Sequence, residues 1–276
     1  MERRVSPWLL LVVLLVAAAS GRNARADPQV PCYFVFGDSL VDNGNNNDIA
    51  SLARANYPPY GIDFPGGATG RFSNGLTTVD AISRLLGFDD YIPAICEKCG
   101  LINVARTLPK HGTQGQRISF GGQLQNYQAA VQQLVSILGD EDSAADHLSQ
   151  CIFTVGMGSN DYLNNYFMPT VYSTSRQYTP EQYADVLILY NNGARKVALM
   201  GVGQVGCSPN ELAQQSSDGV TCVARINGAI EIFNRKLVEL VDQFNTLPGA
   251  HFTYINAYGI FQDIIRSPGA NGKIWS

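Results

Sequence analysis

Two short polar turns carry the residue types that acyl transfer needs. The first reads Gly37-Asp38-Ser39-Leu40 and follows the apolar run Cys32 to Phe36. The second reads Gly156-Met157-Gly158-Ser159-Asn160-Asp161 and follows the apolar run Cys151 to Val155. A serine just past a buried strand can attack a carbonyl carbon, and a carboxamide at a neighbouring strand end can donate to the oxyanion that forms. If a helix starts at Ser39, its first N–H groups point at the same oxygen. Taken alone, Gly-Asp-Ser-Leu fits an ordinary helix cap better than a nucleophile, because Ser and Asp side chains accept from N–H groups there. Pairing the two turns makes Ser39 the candidate nucleophile and Asn160 the candidate oxyanion donor.

Strands must hold those turns. Cys32 to Phe36, Cys151 to Val155 and Val197 to Met200 are short apolar runs without alternation, as strands buried on both faces require. Phe252 to Ile255 is a weaker fourth candidate. Helical periods lie between them. Ile226, Ile230, Phe233, Leu237, Leu240, Val241 and Phe244 form one apolar stripe, and Leu124, Tyr127, Val131, Leu134 and Leu138 form a shorter one. Strands alternating with helices indicate an α/β domain with a parallel sheet, whose sites form beyond the carboxyl ends of the strands. Repeats and linkers are absent from the text, so residues 27–276 are expected to be a single domain.

Residues 1–26 stand apart. Arg3 and Arg4, an apolar run from Trp8 to Ala19 and the end Ala24-Arg25-Ala26 read as a secretory signal peptide, too short to span a bilayer comfortably. No later segment is long and apolar enough to span. The whole chain of 276 residues has a net charge of −4, and without the first 26 it carries 15 basic and 22 acidic residues. Such a balance offers no basic face to nucleic acid and no attraction to anionic lipid. A secreted, soluble monomer is expected. An oxidising compartment permits disulfides among the six cysteines, and Cys207 with Cys222 is the pair the spacing suggests. N-glycosylation is not expected, since no N-x-[ST] occurs.

The wider text around the two turns resembles the GDSL family of SGNH hydrolases, in its large secreted plant esterase/lipase branch. The stretch Gly37 to Asn47, Pro58-Pro59-Tyr60-Gly61-Ile62-Asp63-Phe64 and Thr69-Gly70-Arg71-Phe72-Ser73-Asn74-Gly75 carry the likeness. So do Arg117 to Phe120, Gln123 to Tyr127, Gly203 to Pro209 and Asn256 to Phe261. The resemblance implies a three-layer α/β/α sandwich with a central parallel sheet, SGNH or flavodoxin-like. It implies a carboxylic-ester hydrolase acting on lipid or small esters, with no cofactor and no metal. Ser39 would form the acyl-enzyme, with its own N–H and the Asn160 side chain on the oxyanion.

Other parts of the family pattern are missing. The family's C-terminal Asp-x-x-His, which supplies the base and the Asp that orients it, is absent: none of His111, His147 and His251 has Asp three residues earlier. His147 and His251 are the candidate substitutes. The Gly that completes the oxyanion hole is not identifiable between Ala94 and Gly115. A shortened sheet cover, lacking its C-terminal part, and a weak or inactive esterase are therefore expected. The alternatives are a binding or regulatory protein of the same fold, or a non-functional shortened product.

Three further motifs have plainer readings. Gly201-Val202-Gly203-Gln204-Val205-Gly206 fits a dinucleotide fingerprint, but Cys207-Ser208-Pro209 follows where its helix should start, so a tight turn using positive φ is expected instead. Cys96-Glu97-Lys98-Cys99 has no second ligand pair at zinc spacing, so a disulfide is expected. Tyr162, Tyr166 and Phe167 fit an acyl pocket or core packing equally well.

Overall fold

Tyr33–Gly37 is apolar at every position but the last, and all five residues are buried, so it forms an inner strand, β1. The computed structural model describes residues 27–94, 101–103, 118, 120–159 and 195–270. Around β1 lie β2 (Leu101–Asn103), β3 (Ile152–Gly156), β4 (Lys196–Met200) and β5 (His251–Ile255). All pair in parallel, in the order β2-β1-β3-β4-β5. This is the flavodoxin-like order, with its switch point between β1 and β3.

Register places Phe34, Phe153, Val197 and Phe252 in one row across the sheet. Phe34 and Phe153 stack with centroids 4.9 Å apart, and Tyr127 meets both edge-on. That face packs on α5 (Ala224–Phe244), through Ile226, Ile230, Phe233, Leu237 and Val241, and on α2 (Phe120–Leu138), through Leu124 and Tyr127. On the other face Tyr33 and Val35 pack against Val41, Ile92 and Val79 of α1 (Thr78–Leu85). Helices on both faces make the expected α/β/α sandwich. Burial on both faces holds for β1 but not for the outer strands. His251 and Thr253 of β5 are exposed, because α5 covers only the alternate side chains there.

The remaining elements differ in how visible they were. β2 was not foreseen, since three residues make too short a run to stand out. The polar stretch from Asp140 forms α3 (Glu141–Gln150), capped by Asp140 accepting from the Ser143 N–H. After β4 comes a 3-10 turn (Val205–Cys207), then α4 (Pro209–Gln215). The glycines of Gly201 to Gly206 are required for contact, not for positive φ as the sequence suggested, since none of them has it. A Cβ on Gly206 would lie 2.6 Å from Asn227 Oδ1 and 2.7 Å from Val223 O. Cys207 pairs with Cys222, as the spacing indicated, and Cys32 pairs with Cys151 just before β1 and β3. Cys96 and Cys99 lie outside the described residues. Toward the end of the described residues lies α6 (Ala257–Arg266), which has no buried residue, followed by a 3-10 turn (Pro268–Ala270). Among the described residues no helix is long and apolar enough to cross a membrane.

Candidate active site

β1 delivers Ser39 to the carboxyl end of the sheet, at the switch point. The chain does not enter an α-helix there. It makes a single 3-10 turn, Ser39–Val41, so the N–H groups that a helix would have offered are reduced to one turn. Gly37 is required by crowding: a Cβ would sit 2.5 Å from Val41 Cγ2 and 2.6 Å from Gly156 O. Ser39 is half-buried and Leu40 is exposed, so the hydroxyl sits at the rim.

Three contacts fix this turn. The described part of β2 ends opposite Val35, so on that side of β1 no described strand faces Gly37, whose other side pairs with Gly156 of β3. Gln123 of α2, fully buried, fills that place: its Oε1 accepts from the Gly37 N–H at 3.1 Å and its Nε2 donates to the Gly37 carbonyl at 3.0 Å. Asp38 caps the turn by accepting from the Leu40 N–H at 3.0 Å. Its other oxygen accepts from the Ser159 hydroxyl at 2.6 Å, across to the turn that follows β3. Gly158, at φ +123, supplies the left-handed residue that swings the chain there. Asn160 comes next in sequence and lies outside the described residues, as do Asp161, Tyr162, Tyr166 and Phe167.

The segment leaving Ser39 is anchored by a buried ion pair that sequence reading missed. Arg71 Nε lies 2.9 Å from Asp80 Oδ2, with Asp80 fully buried. Arg71 Nη2 donates to Asp80 Oδ1 at 3.2 Å and to the Ile92 carbonyl at 2.7 Å. Asp80 also accepts from Asn43 Nδ2, the Thr77 N–H and the Ile92 N–H. Burial alone would raise its carboxyl, but the Arg71 hydrogen bonds, the Thr77 N–H and the Arg71 charge outweigh that and hold it below the ordinary value. Burial pushes the Tyr33 phenol, beneath the same region, up to about 12. The signal for Asp80 was a capping box, Thr77 with Asp80, which the structure forms. Gln123 had no signal beyond being a polar residue inside an apolar stripe.

Neither described histidine is near Ser39. Register sets Gly37 level with Gly156, Met200 and Ile255, and His251 lies at the opposite end of β5. At ~3.3 Å per residue and ~4.8 Å per strand, His251 is about 13 Å below the level of Gly37, two residues before Ser39, and about 14 Å across the sheet. His147 lies within 4.8 Å of the Cys32 and Cys151 sulfurs, at the amino ends of β1 and β3. Both candidate substitutes for the missing base are thereby ruled out as partners of Ser39. That histidine and the two sulfurs do not form a metal site, because the disulfide leaves no thiolate to bind one. His111 lies outside the described residues.

A parallel sheet in flavodoxin-like order, with a Gly-Asp-Ser-Leu turn at its switch point, defines an α/β protein of hydrolase type. The model of the GDSL-like lipase/acylhydrolase family matches residues 33–275. Three proteins of Arabidopsis thaliana, each named a GDSL esterase/lipase, are similar along nearly the whole chain. Two are 59% identical over 292 residues, covering 99% of this chain and 80% of the relative. A third is 57% identical over 284 residues, covering 96% and 78%. The chain belongs to the GDSL esterase/lipase family, and is by family a serine hydrolase acting on esters.

Proposed function

We propose that residues 27–276 are a single secreted domain that hydrolyses lipid or small carboxylic esters through Ser39, after removal of residues 1–26 as a signal peptide. Ser39 Oγ attacks the ester carbonyl carbon, the alcohol leaves, and water then releases the acid from the acyl-enzyme. The Ser39 N–H and the Asn160 carboxamide steady the oxyanion. No cofactor or metal is invoked, since side chains and backbone donors suffice for these steps. The observation that carries the reading is the Ser39 turn at the switch point, joined through Asp38 and Ser159 to the turn that leads into Asn160.

The 276 residues are expected to react slowly. They contain no Asp-x-x-His, and His147 and His251 sit at the amino ends of the strands. A serine hydroxyl without a positioned base is a poor nucleophile at neutral pH. That same observation favours a second reading, a binding or regulatory protein of the family fold. Fluorophosphonate labelling of the purified chain beside Ser39→Ala separates the two. Labelling that the substitution abolishes supports the hydrolase, and a folded chain that takes no label supports the binding protein.

A further inference from the structure

The β1–β3 ladder ends at Gly37 and Gly156. Beyond that pair no ladder bond joins the two turns that carry the candidate chemistry, yet acyl transfer needs its groups held to within fractions of an ångström. The Ser39 turn is one 3-10 turn long, too short to be stiffened by a helix of its own. Something else must set its position relative to the turn after β3.

We infer that Asp38 and Ser159 are a positioning pair for the reaction at Ser39, bridging the two turns where the sheet no longer does. The inference rests on the reading of Ser39 as nucleophile. Both residues are buried, at 2% and 8% exposure. Asp38 Oδ1 accepts from the Leu40 N–H at 3.0 Å and Oδ2 accepts from the Ser159 hydroxyl at 2.6 Å, so both oxygens are committed and the carboxylate cannot rotate. A hydroxyl donating to a carboxylate at this distance is among the stronger hydrogen bonds a protein forms.

The pair also decides which backbone group is left for substrate. Asp38 takes the Leu40 N–H through its side chain and the Val41 N–H, at 3.1 Å, through its carbonyl. The Ser39 N–H has no acceptor among the described residues. Asp38 therefore satisfies the inner amides of the turn and leaves the one beside the nucleophile open to an incoming oxygen. Ser159 holds that arrangement in register with the chain that continues to Asn160.

The test compares the wild-type chain with Ser159→Ala and Ser159→Thr, reading the fluorophosphonate labelling rate, the melting temperature, and amide exchange over the Ser39–Val41 peptide by mass spectrometry. A misplacement of about 1 Å costs on the order of 100-fold in rate, so Ser159→Ala is expected to label about 10- to 100-fold more slowly. Ser159→Thr, which keeps the hydroxyl, is expected to restore the rate. Amide exchange at the Ser39 turn is expected to quicken in the alanine variant and not in the threonine variant. A folded Ser159→Ala chain that labels as fast as wild type overturns the inference. If that variant does not fold, the isosteric Asp38→Asn decides, and a wild-type labelling rate there overturns it. If the wild-type chain takes no label, the nucleophile reading fails, and exchange alone judges the bridge. Faster exchange in Ser159→Ala upholds the bridge and equal exchange overturns it.

Discussion

Asp80→Asn is the most informative single substitution in the fold. It is isosteric, so packing is unchanged and only charge and hydrogen-bond direction alter. Asp80 Oδ1 accepts from Asn43 Nδ2, Arg71 Nη2 and the Ile92 N–H, and Oδ2 accepts from Arg71 Nε and the Thr77 N–H. Whichever oxygen becomes NH2 then faces donors. The guanidinium of Arg71, 5% exposed, also loses its counter-charge. Its remaining acceptors are Thr69 Oγ1 and the Ile92 carbonyl, with Phe64 under its plane at 4.2 Å. Breaking a buried pair from one side costs about 3–5 kcal/mol. For a chain of this size each kcal/mol lowers the melting temperature by about 2–4 °C, so a fall of about 6–20 °C is expected. Thermal unfolding followed by circular dichroism, disulfides intact, measures that fall, and urea unfolding measures the free-energy loss. The double variant Arg71→Met with Asp80→Asn should fall short of the summed single losses by about 1–3 kcal/mol. A loss below about 1 kcal/mol in Asp80→Asn would show that the pair is not buried as described.

Acid should erase that difference. The Asp80 carboxyl is depressed in the fold, so its stabilisation is complete above the ordinary value of about 3.9 and is lost as pH falls through the folded value. Wild type and Asp80→Asn should converge in stability toward strong acid, and a constant gap down to that range refutes the linkage. Gln123→Met leaves the buried Gly37 N–H and carbonyl unpaired, at about 1–3 kcal/mol for each group, which thermal unfolding checks. Gly206→Ala forces a Cβ against Asn227 Oδ1 and Val223 O and should cost about 1–3 kcal/mol in the same assay, whereas a neutral result would mean the turn yields.

The strands were legible because each is a short apolar run, ended by glycine in β1, β3 and β4, and these three and β5 lie within one residue of where the sequence puts them. Both apolar stripes became helices for the same reason. What was not legible depends on tertiary partners. β2 is three residues long and is a strand only because β1 lies beside it. Gln123 is a polar residue inside an apolar stripe, and its role shows only once the Gly37 N–H and carbonyl are seen to need a partner. Arg71 and Asp80 are nine residues apart on different elements, and nothing local says that they meet. For the site, the position of Ser39 at a strand end was readable. Whether a helix or the short 3-10 turn follows was not, because Asp38 capping fits either.

Among the described residues, Gln123 is one of three side-chain amides that bind both the N–H and the carbonyl of one residue. Asn234 does so at Val202, just past β4, and Asn245 does so at Phe252 within β5. Each supplies one donor and one acceptor, as a neighbouring strand would, on a side where no described strand lies.

The Cys32–Cys151 bond has a consequence for how the protein comes apart. Its partners are 119 residues apart in sequence, and that span, Ser39 included, is a covalent loop. One protease cut anywhere inside the loop opens a peptide bond but releases nothing. On a gel without reductant the nicked chain runs as a single band, and adding thiol divides it into two. β1 and β3 stay leashed to each other through such damage, so a chain cleaved in the loop keeps its two central strands at one another's side until the sulfurs are reduced.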